Sequence, residues 1–172
     1  MNLVWGFFLY TITGFVLLSL PIFHKVEIPL IDSLFISTSA ISTTGLVTVS
    51  LADSFNLFGQ LIVMLLFQIG GIGYMTLTTY FLLFTTKKIT YWHKKIIGAE
   101  FTMPNTIKIN DFLKSVILFT LIMESIGAIC FFIAFKNSGM ENLQAVWYSI
   151  FHSVSAFCTA GFGLFNDSFI SF

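Results

Sequence analysis

Two short stretches of this 172-residue chain hold residue types suited to binding a small cation through oxygen atoms: Thr43-Thr44-Gly45-Leu46 and Thr159-Ala160-Gly161-Phe162. A cation that gives up part of its water needs backbone carbonyls aimed at one axis in place of the lost hydration. Glycine permits the dihedral angles that turn successive carbonyls that way, and threonine adds a hydroxyl oxygen. Taken singly, either turn is better read as an ordinary Gly-capped helix end. The pair reads differently because the surrounding sequence is duplicated.

Ser33-Leu34-Phe35-Ile36-Ser37-Thr38-Ser39-Ala40-Ile41-Ser42-Thr43-Thr44-Gly45-Leu46 aligns without gaps on Ser149-Ile150-Phe151-His152-Ser153-Val154-Ser155-Ala156-Phe157-Cys158-Thr159-Ala160-Gly161-Phe162. Seven of the fourteen positions are identical: Ser33/Ser149, Phe35/Phe151, Ser37/Ser153, Ser39/Ser155, Ala40/Ala156, Thr43/Thr159 and Gly45/Gly161. After a two-residue shift, Asp53-Ser54-Phe55 matches Asp167-Ser168-Phe169. Such self-similarity marks an internal repeat. Each copy predicts a short helix that starts near Pro29 or near Glu141-Asn142 and ends just before its Gly turn. The partially negative helix ends then point toward the turns, which favours a cation there.

The elements that must hold these turns are apolar. The chain is 56% hydrophobic with 22 Phe and only 9% charged residues, and its mean hydropathy is +0.92. A soluble domain carries about 25% charged residues, so a membrane protein is expected. Three apolar runs stand out: Leu3 to Leu20, closed by Pro21; a stretch free of charge between Asp53 and Lys87, with its core at Leu57 to Phe84; and Phe112 to Phe135. As one helix the second run would reach about 42 Å against a hydrocarbon core of roughly 30 Å. It must tilt, protrude or break, and Gly70, Gly71 and Gly73 mark the place to bend. Lys87, Lys88, Lys94 and Lys95 cluster with Tyr91 and Trp92 between the second and third runs, which predicts a cytoplasmic loop with an aromatic anchor. Both Gly turns then face outside. The short segments that carry them are too polar and too brief to cross a bilayer, and irregular backbone at that depth belongs inside protein or beside a watery cavity.

The fold expected is therefore all-α and integral to the membrane, made of repeated helix–pore-loop–helix units, with three spanning helices and two re-entrant pore helices. Residues 1–84 form a first pore unit, 85–111 a cytoplasmic loop, and 112–172 a second unit that lacks its closing span. A zero net charge with all eight cations Lys points to no nucleic-acid partner, and the missing Arg reads as coding bias. Cys130 and Cys158 have no spacing for a disulfide framework or zinc site. No basic n-region or small-residue cleavage site marks a signal peptide. The protein is not expected to be an enzyme: HExxH, GxSxG and paired carboxylates within one span do not occur. Glu124 lies mid-span, where an ionised group costs about 2.5–3.5 kcal/mol. It serves either by accepting bonds from a pore-loop backbone or by direct contact with the ion path. Gly70, Gly71 and Gly73 read first as close-packing positions. His152, at the site of Ile36 in the first copy, reads as a packed pore-helix residue.

At Thr38-Ser39-Ala40-Ile41-Ser42-Thr43-Thr44-Gly45-Leu46, Gly59-Gln60-Leu61, Gln68-Ile69-Gly70-Gly71-Ile72-Gly73-Tyr74-Met75-Thr76, Glu124-Ser125-Ile126-Gly127-Ala128, Trp147 through Phe157 and Ala160-Gly161-Phe162, the sequence resembles the Trk/Ktr/HKT superfamily of potassium transporters, and most of all its KtrB-type membrane subunit. These stretches span nearly the whole chain in the family's order. The resemblance implies four pore units per polypeptide, each giving one quarter of a selectivity filter. Thr43, Thr44 and Gly45 then form one quarter and Thr159, Ala160 and Gly161 the next, with potassium bound at these residues only. Ser42, Leu46, Cys158, Phe162, Glu124, Gly70, Gly71 and Gly73 stand beside or along the path. The second copy departs from the family where Cys158-Thr159 replaces a frequent Asn-Asn, which bears on fine selectivity. One filter Gly per unit implies looser discrimination between potassium and sodium than a TVGYG filter gives.

The resemblance further implies a bacterial, multi-pass cell-membrane protein that dimerises and binds a cytosolic nucleotide-binding regulatory subunit of the KtrA/TrkA kind. No cofactor is expected; potassium is the substrate, with sodium dependence open, and no Walker or GxGxxG loop appears in this chain. Two quarters do not close a ring, so the chain is expected to be the N-terminal part of a larger transporter. The alternative is a non-conducting fragment or membrane scaffold.

Overall fold

The computed structural model describes residues 2–73 and 109–166, with side chains over 4–73 and 111–166. Those residues are helical, apart from turns and one isolated antiparallel bridge between His24 and Phe55. Helix α1 is Asn2–Leu18, α2 Leu30–Ile41, α3 the single turn Leu51–Ser54, α4 Leu57–Ile72, α5 Ile109–Asn137 and α6 Asn142–Phe157. A 3-10 turn, Pro21–Phe23, follows α1 where Pro21 ends the apolar run. The cytoplasmic loop, the second run beyond Gly73 and the Asp167-Ser168-Phe169 match all lie outside the described residues.

Local sequence accounts for the boundaries. Pro29 is the N-cap of α2, with φ near −56°, and Asp32 in the first turn meets the positive helix end. Asn56 caps α4, its side chain accepting from Gly59 N at 3.0 Å. Helix α6 starts behind Glu141. It is one turn longer than α2 at its start, although both stop at the same place in the repeat: Ser42 and Cys158 are the matching C-caps.

Helix α4 runs unbroken through Gly70 and Gly71 and ends at Gly73, whose φ is 87°. The expected bend is thus a helix terminus in the part described. Within α5, Asp111–Asn137 is long and apolar enough to cross a membrane, the one such helix among the described residues. Helix α1, at 17 residues, and α4, at 16 residues, are apolar but shorter.

Helices α1, α2 and α4 pack on one another, α5 packs along α6, and α4 also touches α6, so α4 joins the two copies. Phe67 of α4 sits at that junction. It stacks on Phe162 (centroids 5.7 Å, planes 13° apart) and meets Phe151 edge-on at 5.5 Å. Around it Ile36, Ala40, Val63 and Phe151 are fully buried. The outward faces of α1 and α5 carry exposed Trp5, Phe8, Leu9, Ile122, Ile129 and Ile133, an apolar exterior that matches hydrocarbon better than water.

Candidate functional site: two matched turns beneath paired helices

Both short helices end in the same six-residue construction. In the first copy Thr43 N donates to Ala40 O (3.1 Å) and Thr44 N to Ser39 O (3.0 Å). In the second, Thr159 N donates to Ala156 O (3.1 Å) and Ala160 N to Ser155 O (2.8 Å). This is the 6→1 and 5→2 pair of a Schellman cap. The left-handed residue such a cap requires is not glycine. It is Thr43 in one copy and Thr159 in the other, each with φ of 51°. A β-branched residue rarely adopts that region, and strain of this kind gathers at functional sites.

The glycines come two residues later. Gly45 has φ of 74° and Gly161 φ of 73°. The ordinary Gly-capped helix end, the reading either turn would take singly, does not describe these turns: the cap is complete before the glycine is reached, and the glycine serves the loop that follows. No cis peptide occurs among the described residues. In a trans peptide the carbonyl points opposite to the N–H. The N–H groups of Thr43, Thr44, Thr159 and Ala160 point back into their helices, so the carbonyls of Ser42, Thr43, Cys158 and Thr159 point away from them.

The structure brings the two turns together. A Cβ on Gly45 would overlap Ala160 O and stand 2.9 Å from Gly161 Cα. One on Gly161 would lie 3.5 Å from Gly45 Cα. Beyond the turns opens a cavity of about 360 Å³, lined in part by Gly45, Thr48, Ser50, Gly161 and Asn166. Across it Ser50 Oγ donates to Asn166 Oδ1, and Asn166 Nδ2 donates to Asp53 Oδ2 at 2.9 Å, tying the loops of the two copies.

The remaining residues singled out in the sequence fall around this pair. Thr44 Oγ1 shares a hydrogen bond with Ser39 Oγ (3.0 Å), and Ser42 Oγ donates to Thr38 O (2.6 Å). Leu46 is exposed, whereas its counterpart Phe162 is buried. Gly70 packs against the end of α2, where a Cβ would overlap Ile41 O and approach the Thr43 methyl at 3.1 Å. Gly71 packs against the end of α6, where a Cβ would stand 2.7 Å from Cys158 Sγ. Adjacent glycines of one helix thus seat both turns, the close-packing role expected of them. Gly73 ends α4.

Glu124 is buried between the two copies. Its carboxylate accepts from Gln68 Nε2 at 2.6 Å, not from a turn backbone, and its own carbonyl accepts from Ser153 Oγ at 2.6 Å. His152 is buried as expected. Leu164 N donates to its Nε2 (3.2 Å), so Nδ1 carries the proton and donates to Tyr148 O (2.7 Å).

Four contacts that the sequence did not reveal reinforce the duplication. Ser37 Oγ donates to Thr11 O (2.8 Å) just as Ser153 does to Glu124 O. Three residues beyond each acceptor, Gly14 and Gly127 lie directly against those same serine hydroxyls. The signal was present as Thr11-Ile12-Thr13-Gly14 beside Glu124-Ser125-Ile126-Gly127, but one shared glycine is too faint to align two apolar helices.

The sequence matches the profile of the TrkH family, described as cation transport protein, over residues 3–172. The chain belongs to this family. It is 33% identical over 169 residues to the potassium/sodium uptake protein NtpJ of Enterococcus hirae, covering 96% of this chain and 37% of that one. It is 35% identical over 158 residues to the Ktr system potassium uptake protein B of Vibrio alginolyticus, covering 91% and 34%. With the protein of the same name from Bacillus subtilis the identity is 35% over 168 residues, covering 97% and 37%. The chain thus spans about a third of the length of these curated relatives.

Proposed function

We propose that this chain supplies two neighbouring sectors of a monovalent-cation uptake path, with potassium as the main substrate. The observation that carries the reading is the contact between two turns of identical, strained geometry: Thr43-Thr44-Gly45 against Thr159-Ala160-Gly161. Each turn ends a helix whose partially negative terminus favours a cation. Each sends carbonyls away from its own helix, which is the arrangement a backbone filter needs. The relatives' names, potassium/sodium uptake protein and Ktr system potassium uptake protein, agree in substrate class.

On this reading each turn belongs to a helix–pore-loop–helix unit in a cell membrane, with the turns on the outer side and residues 85–111 on the cytoplasmic side. The family resemblance implies that the intact protein has two further units, forms a homodimer and works with a cytosolic nucleotide-binding regulatory subunit; the word system in two relatives' names agrees with a partner of some kind. Transport involves no covalent chemistry. The test is potassium-dependent growth of an uptake-deficient cell expressing the intact protein, paired with potassium flux into vesicles holding the purified protein. Rescue with flux supports the reading. Absence of flux from correctly folded protein refutes it.

A further inference from the structure

Equivalent positions of the two turns are braced by different chemistry. The first turn is held from within by hydroxyls, Ser42 on Thr38 O and Thr44 on Ser39. The corresponding residues of the second turn, Cys158 and Ala160, have no hydroxyl. Ser155 Oγ, the counterpart of Ser39, instead donates past them to Phe162 O (2.7 Å), and at Cys158 the brace leaves the helix. Cys158 Sγ–H donates to Gln68 Oε1 at 3.4 Å, and Gln68 Nε2 donates to Glu124 Oε1 at 2.6 Å. Ser153, one turn back on α6, donates to Glu124 O and closes the loop.

The chemistry of the groups fixes the direction of this relay. The Gln68 amide nitrogen faces Glu124 Oε1, an oxygen that accepts, which leaves the amide oxygen for the thiol. In the first copy the counterpart of Glu124 is Thr11, whose hydroxyl turns back to Phe7 O at 2.9 Å. A carboxylate in an apolar span is costly to keep, so its placement behind one turn and not the other calls for a role.

We infer that Gln68 and Glu124 are positioning residues for the second turn, acting through Cys158 to fix the carbonyls of Cys158 and Thr159 and hence how well that sector discriminates among cations. The inference rests on the transport reading above. Neither residue touches the ion. Gln68 fixes the register of α4 against the base of α6, where Gly71 already meets Cys158, and Glu124 fixes the Gln68 amide.

The test is the potassium-to-sodium permeability ratio of the intact protein in planar bilayers, which a purely structural role would leave unchanged in the surviving folded protein. Gln68→Leu keeps the volume but removes both bonds, and the ratio falls by about two- to tenfold, the factor one hydrogen bond is worth. Glu124→Leu does the same. Glu124→Gln retains an accepting oxygen for Gln68 and restores the ratio, and Cys158→Ser, with a stronger donor, retains it.

A folded Gln68→Leu protein with the wild-type ratio overturns the inference. So does loss of the ratio in Glu124→Gln as complete as in Glu124→Leu, since charge and not the bond would then be acting. If Gln68→Leu does not fold, Cys158→Ala removes the thiol alone; an unchanged ratio there also overturns it. A folded wild-type protein that passes no potassium refutes the transport reading instead.

Discussion

Gly45 and Gly161 are equivalent in sequence, yet the structure predicts unequal costs for replacing them with alanine. Both have φ near +74°, and an L residue there costs roughly 1–2 kcal/mol. For Gly161→Ala that is nearly the whole cost, because the new Cβ would stand 3.5 Å from its nearest neighbour, Gly45 Cα, an ordinary contact. For Gly45→Ala the new Cβ overlaps Ala160 O and stands 2.9 Å from Gly161 Cα, about 0.6 Å short of the ~3.5 Å at which two carbons rest comfortably. The obstacle is backbone, so no rotamer change relieves it, and the second turn must move. Overpacking of this sort adds about 1–3 kcal/mol. At 1.4 kcal/mol per tenfold, Gly161→Ala is expected to weaken potassium half-saturation or selectivity by about 5- to 30-fold. Gly45→Ala should lose a further factor of about five or more. The assay is potassium and sodium flux into vesicles holding equal amounts of each folded variant. Equal losses, or a greater loss in Gly161→Ala, would refute the contact geometry of the two turns.

Three further outcomes follow from the same geometry. Thr159→Gly relieves a left-handed β-branched residue and should leave thermal stability equal or raised by about 1 kcal/mol, while cation discrimination falls; a drop in both would show that the strain is not what threonine contributes. His152→Phe strands the buried Leu164 N–H and should lower unfolding stability by about 1–3 kcal/mol. Gly71→Ala drives a methyl into Cys158, with its Cβ 2.5 Å and Sγ 2.7 Å away, and should cost about 1–3 kcal/mol in thermal unfolding.

The helices and the places where the turns begin were legible because they depend on local sequence: apolar runs, Pro21, Pro29 and Glu141 at boundaries, and the Ser-Phe-Ser-Thr-Gly spacing of the duplication. The conformations of Thr43 and Thr159 were not. Sequence preference assigns the left-handed position to glycine, and tertiary packing placed threonine there, as the Gly70 contact with the Thr43 methyl illustrates. Glu124 was recognisable from its cost in an apolar span, but not its partner. Gln68 is 56 residues away, and only the packing of α4 beside α5 and α6 brings the amide to the carboxylate. The serine pair Ser37 and Ser153 was visible as a repeat; that each donates to a carbonyl of the preceding long helix was not, since those acceptors are backbone atoms and carry no side-chain signature.

The central claim is that the two turns face one cation path. Crystals of the intact protein grown in rubidium, a heavier stand-in for potassium, test it through anomalous scattering. The account predicts a rubidium peak bounded on one side by backbone carbonyls from both the Thr43–Gly45 and the Thr159–Gly161 turns. A peak coordinated elsewhere, with the carbonyls of both turns turned away from it, would contradict the claim.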